Sequence, residues 1–228
     1  MQRSRAVLAS LRTAAVFGVD ACPVDVEVDV SFGLPSFTIV GLPDTSVRES
    51  RERVRLAIRN SGFEYPPHRI TVNLSPADLR KAGTSFDLPI ALGILAASGV
   101  VERRHIADLV LLGELSLDGS VHATRGALPI AIAARRDGLA GILLPAGNAA
   151  EAAIVAGLEV LAVSSLSDAV RALNDGEGYR ATLLTPPALS APPALPALPA
   201  STSLALRFRT TGLRLRRRCR RCRAACRR

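Results

Sequence analysis

The chain has 228 residues, 48% of them hydrophobic, which is enough for one well-buried domain followed by a tail. Its net charge of +9 misleads as a whole-chain figure, because twelve arginines and no acid lie from Arg180 onward. Residues 1–179 carry 17 basic against 20 acidic residues, so the body is mildly acidic and lacks the overall basic footprint of a DNA-binding surface. No run of about 18 apolar residues escapes a charge or a breaker, so no membrane span is expected. Arginines before an apolar run at the N-terminus imitate a secretory leader, but Arg12 interrupts the run and Asp20, Asp25, Glu27 and Asp29 follow it. Cys22 in the body with Cys219, Cys222 and Cys226 in the tail makes no disulfide framework, and a cytoplasmic protein is expected.

In chain order, Val24, Val26, Val28 and Val30 alternate with Asp25, Glu27 and Asp29, and Val16 shares their parity. Residues 13–30 therefore read as one half-buried strand. Gly33 and Pro35 mark 31–37 as a turn before a second strand, 37–40, which Gly41-Leu42-Pro43 breaks. A helix is expected from Asp44, a good N-cap, with Ser46 and Glu49 spaced as a shifted capping box. Val47, Val54, Leu56 and Ile58 supply its apolar face, and Asn60-Ser61-Gly62 stops it. A third strand, 69–74, runs into a polar connection through Asp78 and Lys81. Pro89 is tolerated only in a first turn, which starts the next helix near Asp87; its body, 90–97, is apolar on nearly every side and belongs in the middle of a domain. Strands at 109–112 and 114–117 flank Gly113 and lead into the Asp118-Gly119 turn. Helices at 126–136, 149–156 and 166–173 then alternate with strands at 141–144 and 160–163. This alternation predicts an α+β fold with α/β-like order and a mixed sheet packed with helices.

Four spaced blocks stand out. The first runs Gly33-Leu-Pro-x-Phe-x-Ile-Val-Gly-Leu-Pro-Asp44 and on to Arg51-x-Arg53-Val54. The second runs Asn73-Leu-Ser-Pro-Ala-Asp78, Lys81-x-Gly83 and Phe86-Asp-Leu-Pro-Ile-Ala91. The third is Leu112-Gly-Glu-Leu-x-Leu-Asp-Gly119 with Arg125-Gly126, and the fourth Pro145-x-x-Asn148-x-x-Glu151-Ala152. In this order they resemble the N-terminal domain of the ComM/YifB family of Mg-chelatase-like AAA+ ATPases over roughly residues 5–175. The resemblance implies a fold like ribosomal protein S5 domain 2 and the Lon proteolytic domain. It also implies an AAA+ module as partner, a hexameric ring when intact, and DNA as substrate in natural transformation. ATP and Mg are expected only for the full-length family protein, and no cofactor or metal is expected in this chain.

Ser85 stands where a Lon-type nucleophile would, in Lys81-Ala-Gly-Thr-Ser85. A serine needs a base beside it, and the position that carries the lysine in Lon corresponds to Leu128. Lys81 is the only lysine in the chain and lies in the wrong block. Arginine stays protonated and cannot replace it. Residual Ser85 peptidase activity is thus the lesser reading, a turn serine the better one. No Gly-x-x-x-x-Gly-Lys-Ser/Thr loop surrounds Lys81, so ATP hydrolysis is not expected. The remaining candidate functional surface is Asp44, Arg51, Arg53, Asp78, Lys81, Asp87 and Arg125. Arg51, Arg53, Arg55 and Arg59 read better as a solvated helix face paired with Glu49 and Glu52 than as phosphate ligands. Arg80, Lys81 and Arg125 are expected to converge on Asp78 and Asp87 as ion pairs tying loops together.

From Pro186 a Pro/Ala/Leu linker leads into an acid-free arginine-rich segment, so 180–228 reads as linker and disordered tail. Its abrupt composition fits a GC-rich gene read out of frame, and a frameshifted or truncated product is expected. The alternative is a nucleic-acid binder acting through this tail. Cys219-x-x-Cys222-x-x-x-Cys226 lacks a fourth ligand nearby and is not taken as a zinc site.

Overall fold

The computed structural model describes residues 7–102 and 106–175, which fall in a compact unit spanning 1–187. The second unit, 188–228, lies outside the described residues, and with it the arginine-rich run and its three cysteines.

The valine alternation near the N-terminus belongs to a hairpin, not to a single strand over 13–30. Strand β1 (Val7–Phe17) pairs antiparallel with β2 (Asp20–Ser31), Phe17 opposite Asp20, so Gly18-Val19 is a two-residue loop. Gly18 takes φ +63°, the left-handed geometry such a loop needs. The turn resets the parity: Val16 pairs with Ala21 and faces away from Val24, Val26 and Val28, all three fully buried. Gly-Val is a weak turn signature, and Val19 at 87% exposure disguises the reversal as part of the apolar run.

The hairpin is the centre of a seven-stranded mixed sheet. On one side β2 pairs antiparallel with β4 (Arg69–Ser75), which pairs in parallel with the edge strand β3 (Ser36–Val40). On the other side β1 leads in parallel to β5 (Leu109–Leu111), β8 (Gly141–Pro145) and β9 (Glu159–Val163). The order is β3-β4-β2-β1-β5-β8-β9, with a small separate hairpin of β6 (Glu114–Leu115) and β7 (Val121–His122). All five residues of β8 are buried, as expected of a parallel strand covered on both faces.

Helices lie on both faces. Helix α1 (Thr45–Asn60), α2 (Asp87–Ala97) and α5 (Leu166–Asn174) pack one core with Val24, Val26, Val28, Ile70, Val72 and Leu74. Helix α3 (Ala127–Arg136) and the short α4 (Ala149–Ala152) close a second core over Ala14, Val110, Ile142 and Leu144. Every residue of α2 is buried, which is why its sequence carries no polar face. Gly93 lets it sit on the hairpin, since a Cβ there would lie 2.6 Å from Val28 Cγ2. The mixed sheet packed with helices is the α+β arrangement expected from the alternation of elements.

Local details differ from expectation. The helix expected at 149–156 ends at Ala152, because the chain turns there (Val155 N–H donates to the Ala152 carbonyl at 3.0 Å) to reach β9. A 3₁₀ turn, Ala146–Asn148, precedes it. At the start of α1 the shifted capping box does not form. Asp44 Oδ1 accepts from Val47 N–H at 2.9 Å, and Ser46 donates its hydroxyl to that same oxygen. Leu56 is only half-buried, and Ala57 with Ser50 completes the inner face.

The loop before α1 is tight. Gly41 adopts φ +95°, and a Cβ there would lie 2.0 Å from the Leu74 carbonyl oxygen. Gly41→Ala is therefore expected to destabilise the domain by about 2 kcal/mol or more, from left-handed strain and displacement of the β4 backbone. A drop in the urea midpoint relative to the native chain checks it; an unchanged midpoint would show that the loop yields freely.

Candidate functional site

An open cavity of about 320 Å³ lies where two loops and the start of β6 meet the end of β1. Ala82, Gly83, Thr84 and Ser85 supply one lining wall and Ala123, Thr124 and Arg125 a second, and Glu114, Ala14 and Val16 complete the lining. The first wall is fixed from α2 and β6. Asp87 N–H donates to the Thr84 carbonyl at 3.1 Å, Gly113 N–H to the Ser85 carbonyl at 3.0 Å, and Thr84 donates its hydroxyl to Glu114. Gly83 N–H donates to Ser46 Oγ at 3.1 Å. The second wall is fixed by the fourth sequence block. Asn148 accepts from Thr124 N–H and donates to the Thr124 carbonyl, both at 2.9 Å, as a paired strand would. Glu151 accepts from Leu128 N–H at 2.9 Å in the first turn of α3. Sequence reasoning assigned no role to Thr84, Glu114, Thr124, Asn148 or Glu151; Glu114, Asn148 and Glu151 were marked only by membership of the spaced blocks, and Thr84 and Thr124 by nothing.

Ser85 is partly exposed on this cavity, but no lysine or histidine among the described residues lines it. His122 is engaged with Ser116 at 2.6 Å, and the cavity's carboxylate, Glu114, is bound by Thr84. Lys81 is fully buried elsewhere, its ammonium donating to the carbonyls of Gly41 (2.9 Å) and Pro76. Burial pushes its pKa down, offset in part by the charge of Asp78. Its backbone binds the loop before α1 as well: Asp44 N–H donates to the Lys81 carbonyl at 2.9 Å, and Lys81 N–H to the Leu42 carbonyl at 3.3 Å. Asp44 and Lys81 thus act together to hold the entry to α1.

The other buried charge is Asp87, fully buried at the start of α2. Arg53 of α1 grips it twice, Nε to Oδ2 at 2.7 Å and Nη2 to Oδ1 at 3.0 Å, and gives a third bond to the Ser46 carbonyl at 3.0 Å. Leu115 N–H approaches Oδ2 at 3.4 Å. The expected ion pairs of Arg80, Lys81 and Arg125 with Asp78 and Asp87 do not form; the counter-charge of Asp87 comes from α1. Burial raises the Asp87 pKa and Arg53 opposes that rise. Nor is α1's arginine row uniform. Arg51 and Arg55 pair with Glu52 at 3.6 and 2.8 Å as a solvated face, and Arg59 lies over the Tyr65 ring at 6.0 Å. Arg51 and Asp78 stay exposed, and only Arg125 of the candidate surface lines the cavity with Ser85.

The profile of the family described as subunit ChlI of Mg-chelatase matches residues 26–148, more than half of the chain. The chain belongs to this Mg-chelatase-like family. Within it, the chain is 42% identical over 170 residues to the competence protein ComM of Haemophilus influenzae, covering 75% of this chain and 33% of ComM. YifB of Escherichia coli is 49% identical over 131 residues, covering 58% of this chain and 26% of YifB. A Lon protease of Chloroflexus aurantiacus is 30% identical over 130 residues, covering 54% of this chain and 16% of that protein. The chain spans about a third of the length of the curated relatives it matches first. Among the described residues no group of three or more His, Cys, Asp or Glu is placed to hold a metal, and no helix is long and apolar enough to cross a membrane.

Arg53→Leu leaves the Asp87 carboxylate buried without its partner, at an expected cost of about 3–5 kcal/mol at neutral pH. A raised aspartate pKa favours the folded state most below the unfolded value near 3.8, and that contribution fades as pH rises through the folded pKa. Without Arg53 the folded pKa rises further, so the loss in the variant should be larger at pH 7 than at pH 4. Denaturant melts at the two pH values check this; equal losses would mean that removing Arg53 does not shift the Asp87 pKa.

Proposed function

We propose that this domain is the non-catalytic N-terminal module of a Mg-chelatase-like AAA+ ATPase of the ComM kind. In that setting it binds substrate or helps assemble the ring beside the motor, with DNA as the material the whole machine processes. The observation that carries the reading is the state of the Ser85 cavity. The hydroxyl sits at an accessible wall, yet the chain's one lysine is sequestered by the Gly41 and Pro76 carbonyls, and Glu114 is engaged by Thr84. An unactivated serine is a poor nucleophile. ATP and Mg belong, on this reading, to the ATPase module and not to residues 7–175.

A second reading, a residual serine peptidase, is favoured by the likeness to a Lon protease. Fluorescent casein incubated with the native chain and with Ser85→Ala separates the two. The expected result is no cleavage above buffer by either. Cleavage by the native chain that Ser85→Ala removes would replace the non-catalytic reading with the peptidase. Binding of DNA through the tail is tested on a chain lacking 186–228: if the tail is the binder, deletion abolishes retention on DNA and salt weakens it steeply.

A further inference from the structure

We propose that the Ser85 cavity is a peptide-carboxylate site: it takes the carboxylate of a short, small-residue peptide end without cutting the chain that bears it. The proposal rests on the non-catalytic reading above and names what that cavity binds.

The polar groups on the cavity are mostly donors left unused by the protein. Arg125 is exposed on the wall and forms no ion pair among the described residues. The Thr124 backbone beside it is clamped on both sides by Asn148, which fixes this segment. Ser85 adds a hydroxyl, and the amides of Thr84 and Ser85 donate to no backbone acceptor among the described residues. The one competing acceptor, Glu114, is engaged by Thr84. A planar guanidinium on the same cavity as the Ser85 hydroxyl matches a carboxylate in charge and hydrogen-bonding shape.

Two features select a peptide over a nucleic acid. The floor and rims are Ala14, Val16, Ala82 and Ala123, which suit a small aliphatic side chain and offer no aromatic face for a base. One arginine beside a carboxylate, on a body with 17 basic and 20 acidic residues, tolerates a single negative charge and repels a run of phosphates. The volume of about 320 Å³ holds a residue or two, so the end of a chain fits better than its middle.

The test uses the 228-residue chain and fluorescein-labelled Ala-Ala-Val-Ala with a free C-terminal carboxylate or a C-terminal amide, read by anisotropy. The amide peptide is expected to bind at least about tenfold more weakly, the order set by one charge-assisted contact. Arg125→Gln and, separately, Ala123→Glu should bring the carboxylate peptide down to the amide level; both positions are exposed, so neither change threatens folding. Equal binding of the two peptides, or unchanged binding in both variants, overturns the proposal. So does a single-stranded oligonucleotide whose binding depends on Arg125 while the peptide's does not. Ser85-dependent cleavage of a peptide that binds through Arg125 would overturn the non-catalytic reading and leave the carboxylate site standing. Absence of peptide binding overturns the site and leaves that reading intact.

Discussion

The carboxylate of Asp87 is taken out of water at the first residue of α2, and Arg53 from α1 is its counter-charge. An isolated buried carboxylate is costly, so α1 cannot drift from α2 without stranding it. The same arginine reaches the Ser46 carbonyl in the first turn of α1, and Leu115 N–H of β6 points at the same aspartate. Two helices and the small hairpin are therefore located by one side-chain pair. Once Asp87 is fixed, its own N–H holds the Thr84 carbonyl, and Ser85 takes its place on the cavity wall.

Lys81 does for the loops what Arg53 does for the helices. Its ammonium satisfies carbonyls from two segments, Gly41 and Pro76, while its backbone pairs with Leu42 and Asp44. With its one lysine used this way, the chain places no lysine on the cavity. Ser85 lies on the cavity without a lysine or histidine among its lining residues. Lys81 and Arg53, two cations of the candidate surface, thus act as structural anchors, and Arg125, expected to be one more ion-pair partner, is the cation of that surface that lines the cavity.

Helix starts and the buried helix were legible in the sequence because their causes are local. Asp44 caps α1 through its own side chain, Gly62 at φ +84° follows its end, and Pro89 sets the first turn of α2. The apolar run 90–97 announced a helix covered on all sides. The β1–β2 reversal was not legible, since a Gly-Val loop interrupts neither hydrophobicity nor apparent alternation. The helix at α4 was over-extended for a similar reason, as alanines propagate a helix on paper wherever nothing apolar must be buried.

The sequence by itself determined the class of fold, the order of its elements after the first hairpin apart from the short β7, the family, and the lack of a spare lysine for a serine-lysine pair. Each is a matter of residue identity and short-range spacing. Only the tertiary structure decided which charges meet. Arg53 and Asp87 are 34 residues apart and Thr124 and Asn148 are 24 apart, and nothing local distinguishes Arg53 from Arg51 or Arg55. Their pairing follows from which turn of α1 faces the start of α2 across the core, and the closed domain sets that relation through burial, not through sequence proximity.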